Sequence, residues 1–319
     1  MDEFELIRRF FLQHEKGAGV EIGIGDDGAV VAPAPDRRLV VVADTIIAGV
    51  HYPPDLPASD VGYRAVAVNL SDIAAMGGTP RWMTLALTLT EADEPWLEGF
   101  AGGLFAAARE HDVALVGGDT TRGSQTVITV QLLGDVAPDA VMTRAGANPG
   151  DGIYVTGTVG DAAAGLSLLK NSSNREAHED TTWLVGRFSR PVARVRVAAS
   201  IAGIATAAID LSDGLGTDLA KLLRASNAGG SIELDSLPLS APLRRMFSHD
   251  QVQRFALDGG DDYELCFTAN ADDHERIGEL AAQHATAVTR IGTTEPGAGL
   301  FCIRNGKRLP YEDHGYRHF

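Results

Sequence analysis

Aspartates follow apolar runs again and again in this chain, almost every one flanked by Gly, Ser or Thr. Leu39-Val40-Val41-Val42-Ala43 leads into Asp44-Thr45, and Val113-Ala114-Leu115-Val116-Gly117-Gly118 leads into Asp119-Thr120-Thr121. Ala207-Ala208-Ile209 leads into Asp210-Leu211-Ser212-Asp213-Gly214. Gly23-Ile24-Gly25-Asp26-Asp27-Gly28 and Asn69-Leu70-Ser71-Asp72 extend the set. A strand that ends in a carboxylate delivers it to one rim of a sheet, where α/β folds place their ligands. Several converging carboxylates repel one another unless cations neutralise them. Hard oxygen ligands of this kind suit magnesium carrying substrate phosphates. The pattern predicts an enzyme acting on a Mg-nucleotide.

A chain of 319 residues is long enough for two domains. Apolar residues make up 45% and charged residues 22%, enough to bury a good core. The net charge of −16 argues against sequence-independent nucleic-acid binding, which needs a basic footprint, and against an anionic membrane surface. An anionic nucleotide remains compatible with it if metals intervene. Cys266 and Cys302 lie inside apolar runs and read as buried free thiols. The start Met1-Asp2-Glu3-Phe4-Glu5 is acidic, unlike a signal peptide, and no apolar run approaches the roughly 18 residues of a membrane span. The expectation is a cytoplasmic protein.

Residues 2–14 read as a short amphipathic helix, followed by strands near 28–31 and 38–43. Val61, Ala65, Val68, Ile73 and Met76 recur at near-helical spacing and predict a helix over 59–76. A strand over 81–89, a helix over 93–110 with Asp93 as N-cap, and strands near 113–117 and 126–136 complete a mixed first half. Asn148-Pro149-Gly150-Asp151-Gly152 is turn chemistry and sets the expected domains at 1–147 and 148–319. The second half predicts strands at 153–156, 231–235 and 262–268, and a strand ending in Asp210. Helices are expected near 161–169, 181–188, 191–203 (started by Pro191), 215–226 and 272–284. Residues 170–180 read as an exposed loop, and Asn305-Gly306 as the turn of a hairpin over 299–309.

Gly23, Gly25 and Gly28 match G-x-G-x-x-G, but Ala29-Val30-Val31 continues as a strand where a dinucleotide fold needs a helix. Asp26 and Asp27 would also repel a bare pyrophosphate. Two readings stay open: a tight turn, or a loop presenting a metal-binding carboxylate. No Walker A motif or protein-kinase set occurs, so metals, backbone amides and arginines must hold any nucleotide. Arg122 and Arg144 suit phosphate forks, with a structural ion pair as the rival for each. Asn69 and Asp72 share a helix face at i and i+3, and Asp72 reads either as a metal ligand or as a cap or surface group. His51 follows a probable turn at Ala48-Gly49 and alone reads as surface.

Taken together these segments resemble the thiamine-monophosphate kinase family, within the superfamily that includes aminoimidazole ribonucleotide synthetase and selenophosphate synthetase. The matching stretches are GIGDDGAV (23–30), ADTIIAGVHY (43–52), AVNLSDIAAMGGTPRW (67–82), LVGGDTTRG (115–123), TRAGANPGD (143–151), YVTGTVGD (154–161), IDLSDGL (209–215), GGDDYELCFT (259–268) and GYRHF (315–319). The resemblance implies an α+β, two-domain fold like that of aminoimidazole ribonucleotide synthetase. Its N-terminal mixed sheet binds ATP and Mg and dimerises, and its C-terminal α/β domain closes the active-site cleft of a homodimer. It implies ATP-dependent phosphorylation of thiamine phosphate to thiamine diphosphate. Carried over by motif, Asp27, Asp44, Asp72, Asp119, Asp210 and Asp213 would hold several Mg²⁺ ions, with Asp27, Asp72, Asp119 and Asp210 at the catalytic centre. Gly118, Asp119, Arg144 and Ser212 would contact ATP, and His51, Asp261 and Tyr316 would line the thiamine phosphate site.

Two departures stand out. The family commonly has hydroxyl residues just before the Asp44 position, where this chain has Val42 and Ala43, and often Glu where it has Asp261. Rival readings are another ATP-dependent enzyme of the superfamily or a non-catalytic acidic cation-binding protein. Selenophosphate synthetase normally uses a Cys or selenocysteine near the N-terminal Gly-rich loop, and no cysteine precedes Cys266.

Overall fold

The computed structural model describes residues 3–12, 17–171 and 178–315. The chain divides into two compact units, Met1–Ile73 with Gly78–Pro138, and Ala74–Gly77 with Asp139–Phe319.

In the first unit, α1 (Glu3–Leu6) passes into a π-helical turn, Ile7–Phe11. Two short strands, β1 (Val20–Ile22) and β2 (Val30–Val31), pair antiparallel. β1 is too short to carry a period and was not legible in the sequence. Then come β3 (Arg38–Ile47), α2 (Ala58–Ala75), β4 (Thr79–Leu89), α3 (Glu94–Glu110), β5 (Ala114–Arg122) and β6 (Val127–Val136). β3 to β6 form a mixed sheet in the order β3-β6-β4-β5, in which only β4 and β5 run parallel. That parallel pair needs a crossover, which α3 supplies. Asp93 sits at the N-cap of α3 in an extended conformation, although its side chain makes no cap bond.

Alternation along the strands fixes which face is covered. Leu85, Leu87, Leu89, Ile128, Val130 and Leu132 are buried, as are Val66, Ile73, Leu97, Phe100 and Leu104 of the two helices. The α2–α3 packing is backbone-close: a Cβ at Gly103 would lie 1.8 Å from the Ser59 carbonyl oxygen, so any larger residue would drive the helices apart. On the opposite side of β3, Leu39 and Val41 are 48% and 54% exposed.

In the second unit β7 (Gly152–Thr156), β8 (Ala205–Asp210), β9 (Gly229–Glu233), β10 (Leu265–Ala269), β11 (Val288–Glu295), β12 (Gly299–Arg304) and β13 (Lys307–Pro310) form one sheet. Its order is β13-β12-β9-β11-β7-β10-β8, a mixed sheet with β9 and β12 as its parallel pair. The helices are α4 (Asp161–Lys170), α5 (Glu179–Ser189), α6 (Val195–Ile201), α7 (Leu215–Ala225), α8 (Ala241–Met246), α9 (His249–Asp258) and α10 (His274–Ala282). Ile153, Val155, Ile209, Leu219, Leu222 and Ile232 meet in its main core. The hairpin turn at Asn305-Gly306 forms with both residues left-handed, as a type I′ turn demands. Two expectations need correction, and one strand is additional. Pro191 does not start a helix; α6 begins at Val195, with Arg194 as its N-cap. The strand expected from Asp262 begins at Leu265, because the three residues before it fold as a tight loop. β11 is a strand with no counterpart among the sequence expectations.

Cys266 is buried and Cys302 partly buried, both as free thiols. Among the described residues no helix is long and apolar enough to cross a membrane.

Candidate active site

Asp44 and Asp119 do not end their strands. β3 runs on to Ile47 and β5 to Arg122, so both carboxylates project from strand interiors. Only Asp210 closes its strand. The ladders continue past both aspartates, through Thr45 and Thr120.

In the first unit an open cavity of about 500 Å³ brings together Asp26, Asp27, Gly118 and Asp119. Its floor is apolar, with Phe11, Leu85 and Leu115. The β4–β5 register slips between Met83 and Thr84, leaving Val116 as an extra residue just before Gly117-Gly118-Asp119. Such a bulge re-aims the residues that follow it. Gly118 lies tight on β4: a Cβ there would sit 1.9 Å from the Leu85 carbonyl oxygen. Its glycine therefore has a packing cause of its own, beside any role in admitting a ligand. Asp26 joins this group although sequence reasoning singled out only Asp27; its signal was the doubled acid in Gly25-Asp26-Asp27-Gly28.

Asp44 and Asp72 belong to a second part of the same unit. The Asp44 N–H donates to Asn69 Oδ1 at 3.0 Å, and Asn69 Nδ2 donates to the Ala65 carbonyl at 3.0 Å. Asn69 is fully buried, and Asp72 follows it by one helical step, half-buried. His51 holds the local backbone in place. Its Nδ1 accepts the Ile47 N–H at 3.1 Å, folding the chain back after β3. Ala43 does not share Asp44's side of the strand. It lies on the exposed face with Leu39, Val41 and Thr45, where Thr45 and Thr129 hydroxyls meet at 2.8 Å. A hydroxyl at position 43 therefore points away from the Asp44 carboxylate, and Val42 is the neighbour on Asp44's own side.

In the second unit the Asp210–Asp213 segment leaves β8 and turns at Gly214 into α7. Buried Asp218 shapes that turn. Its Oδ2 accepts the Ser212 N–H at 3.0 Å and the Asp213 N–H at 2.9 Å, and its Oδ1 takes Lys221 Nζ at 2.8 Å. Lys221 also pairs with Asp213. Burial raises the Asp218 carboxyl, against the opposing pull of Lys221 and the Asp213 amide. Asp218 and Lys221 were missed in the sequence; the signal was an acid and a base three apart in the first turns of α7.

The Gly259–Glu264 loop packs against this turn. Asp261 N–H donates to the Ser212 carbonyl and Tyr263 N–H to the Leu211 carbonyl, both at 2.9 Å. The structure thus brings Ser212, Asp213 and Asp261 together. Arg144 is anchored through its backbone, whose carbonyl accepts the Ser226 hydroxyl at 3.0 Å, while its side chain is exposed. Arg122, the other expected phosphate fork, is also exposed. Tyr316 lies outside the described residues.

Among the described residues no three His, Cys, Asp or Glu side chains already form a metal cage. The donor set still fits magnesium. Mg²⁺ keeps several waters and is commonly held by one or two carboxylates plus substrate phosphates, and Asp26, Asp27 and Asp119 offer only hard oxygens around one cavity.

The AIR synthase related protein N-terminal domain family matches residues 25–136, and the corresponding C-terminal domain family matches residues 148–304. The thiamine-monophosphate kinase of Salmonella typhimurium is 43% identical over 319 residues, covering 99% of this chain and 98% of the relative. The crystal structure of thiamine-monophosphate kinase from Stenotrophomonas maltophilia superposes with a TM-score of 0.89 at 42% identity, over 96% of this chain and 98% of that one. AaThiL complexed with AMPPCP and TMP superposes with a TM-score of 0.80 at 33% identity, over 93% and 92%. With likeness of this depth along both units, the chain belongs to the thiamine-monophosphate kinase family.

Proposed function

We propose that this chain transfers the γ-phosphoryl group of ATP to the phosphate of thiamine phosphate, giving thiamine diphosphate and ADP, with the carboxylates described above as its metal ligands. Kinship over the full chain supports the reaction. The observation that carries the site assignment is the cavity shared by Asp26, Asp27, Gly118 and Asp119.

Phosphoryl transfer asks for positioning and charge neutralisation more than for covalent chemistry. The acceptor is a phosphate oxygen, already ionised near neutral pH because the second pKa of a phosphate monoester is about 6. A strong general base is therefore unnecessary, and no Ser or Cys nucleophile is required. Bound magnesium would supply the charge neutralisation that lets two anions approach. In this reading Asp27, Asp44, Asp72, Asp119, Asp210 and Asp213 would hold the ions, with Asp27, Asp72, Asp119 and Asp210 as the catalytic set. Gly118, Asp119, Arg144 and Ser212 orient ATP; His51, Asp261 and Tyr316 take thiamine phosphate. Domains at 1–147 and 148–319 share the work, the first binding ATP and metal and dimerising.

The homodimer reading draws support from the exposed apolar strip of β3, Leu39 and Val41, which a second copy would cover. A cytoplasmic location goes with the supply of ATP and Mg²⁺.

The deciding experiment incubates the protein with ATP, Mg²⁺ and thiamine phosphate and identifies products by mass. Thiamine diphosphate and ADP in equal amounts are expected. ATP consumption yielding AMP, or no thiamine diphosphate at any Mg²⁺ concentration, overturns the reading.

A further inference from the structure

The Gly259–Glu264 loop alternates in a way that ordinary turn chemistry does not explain. Asp261 and Tyr263 both adopt left-handed backbone, with φ of 72° and 50°. Asp tolerates that region; for a bulky aromatic residue it is a costly conformation. Strain of this sort persists only where the surroundings over-determine it.

Here the over-determination is visible. Asp262 and Glu264, the residues between and after, are both buried and both anchored. Asp262 accepts the Gly160 N–H at 2.7 Å and the Ala162 N–H at 3.2 Å, at the start of α4. Glu264 is gripped by Arg187 at 2.6 Å, by Arg194 through two bonds of 2.5 Å, and by the Thr156 hydroxyl at 2.6 Å. The Asp261 and Tyr263 amides are fixed to the Ser212 and Leu211 carbonyls. Two buried acids pull the loop inward, and Asp261 and Tyr263 are left half-buried on the side of the Ser212–Asp213 turn. Their side chains meet there, with the Tyr263 hydroxyl 3.4 Å from Asp261 Oδ1.

A carboxylate beside a phenol ring is a recognition pair for an organic cation: the carboxylate supplies charge, the ring its negative face. Thiamine phosphate carries a permanently charged aromatic thiazolium ring, and ATP has no such group. We propose that Tyr263, held in its left-handed conformation by the Asp262 and Glu264 anchors, is a specificity-determining residue that binds the thiazolium ring together with Asp261. The proposal rests on the kinase reading given above. The aromatic face also contributes attraction that does not depend on the reach of the Asp261 carboxylate.

The test separates the ring from the hydroxyl and from the loop. Tyr263→Phe keeps the ring and loses only the hydroxyl that meets Asp261, so its KM for thiamine phosphate should rise less than that of Tyr263→Leu. Tyr263→Leu should raise that KM about tenfold, between the scales of an exposed and a desolvated cation–π contact as suits a half-buried ring, with KM for ATP unchanged. The decisive arm replaces the substrate with its 3-deaza analogue, whose thiophene ring is uncharged. With it, Tyr263→Leu and the parent should have equal KM values. Calorimetric binding of thiamine alone should weaken in parallel in Tyr263→Leu, a readout that needs no turnover. The proposal is overturned if Tyr263→Leu leaves the thiamine phosphate KM unchanged, if it raises the ATP KM equally, or if the penalty is the same for the uncharged analogue. Should Tyr263→Leu fail to fold, Tyr263→Met, which also removes the ring but fills its volume with a flexible side chain, carries the comparison. The KM for thiamine phosphate must then rise in Tyr263→Met while that for the uncharged analogue does not, and the absence of this difference overturns the proposal. Failure of the kinase reading itself would be seen separately, as a parent protein that makes no thiamine diphosphate.

Discussion

Asn69 Oδ1 accepts the backbone N–H of Asp44 at 3.0 Å, fastening an edge strand to a buried turn of α2. β3 has a ladder partner on one side only, β6, so its outward amides have no strand to bond. Asn69 satisfies one of them and ties Asp44 to the turn of α2 that also carries Asp72. A buried Asn inside an apolar helix face is thereby explained without a ligand of its own.

Asn69→Ala removes that acceptor. The Asp44 amide loses its partner, which for this partly buried bond costs about 1 kcal/mol. Denaturant unfolding should show the loss. The Mg²⁺ concentration needed for half-maximal activity should also rise, since Asp44 and Asp72 are no longer held in register. An unchanged midpoint would show that water replaces Asn69 without penalty.

Asp72→Asn and Asp210→Asn should each lower kcat at least about 100-fold, the scale of losing one strong electrostatic stabiliser. Thermal melts in EDTA should be near normal, because removing one carboxylate from an acidic neighbourhood relieves repulsion. Near-normal rates in both variants would return these aspartates to structural roles.

How much of this could be read in the sequence varies with the cause of each feature. Long elements were legible because period and length agree, as in α2, α3, β4 and β6. The aspartate set was legible because acids after apolar runs are rare unless something needs them. The inference that each one ends a strand failed for Asp44 and Asp119, because a carboxylate does not interrupt a ladder; backbone groups make it, and β3 and β5 continue. Asp218, Glu264 and Asp262 were not legible as scaffolding. The partners of Glu264 and Asp262 lie in distant segments, Arg187 and Arg194 for the one and the start of α4 for the other, and no local pattern announces them; those of Asp218 are local, but an acid and a base three apart on a helix read equally as a surface pair. Tyr263 was hidden for a related reason: its left-handed conformation is imposed from outside the loop.

A pH dependence follows from Asp135. This buried carboxylate receives Arg37 Nε at 2.7 Å and Arg81 Nε at 2.8 Å. Burial alone would raise its pKa, but the two guanidinium hydrogen bonds win and hold it below the ordinary carboxylate value. A folded pKa below the unfolded value, about 3.9, means the contribution is fully present above that value. It is lost as pH falls through the lowered folded pKa. Asp135→Asn should therefore destabilise the protein by about 3 kcal/mol at pH 7, the scale of breaking a buried pair. The gap between parent and variant should close as unfolding is measured at successively lower pH below about 4. A gap independent of pH would mean that packing, not charge, accounts for it.

The last prediction concerns the residues before Asp44. Restoring a hydroxyl at Ala43 is the obvious repair, and the strand's alternation argues against it. Ala43 is exposed and lies on the face of Leu39, Val41 and Thr45, paired with Gln131 across the ladder. The Asp44 carboxylate projects to the other side. Ala43→Thr should therefore leave the Mg²⁺ dependence of activity unchanged. Val42 is the residue that shares Asp44's side. Val42→Thr conserves shape and places an oxygen two residues from the carboxylate, where it can replace a water on a metal that keeps several. An interaction worth about 0.5–1.5 kcal/mol would lower the half-saturating Mg²⁺ roughly two- to tenfold. Magnesium titrations of both variants, each paired with a melt, decide the matter. A tighter Mg²⁺ response in Ala43→Thr but not in Val42→Thr would mean that the metal approaches β3 from its exposed face, and that Asp44 reaches it only through its backbone.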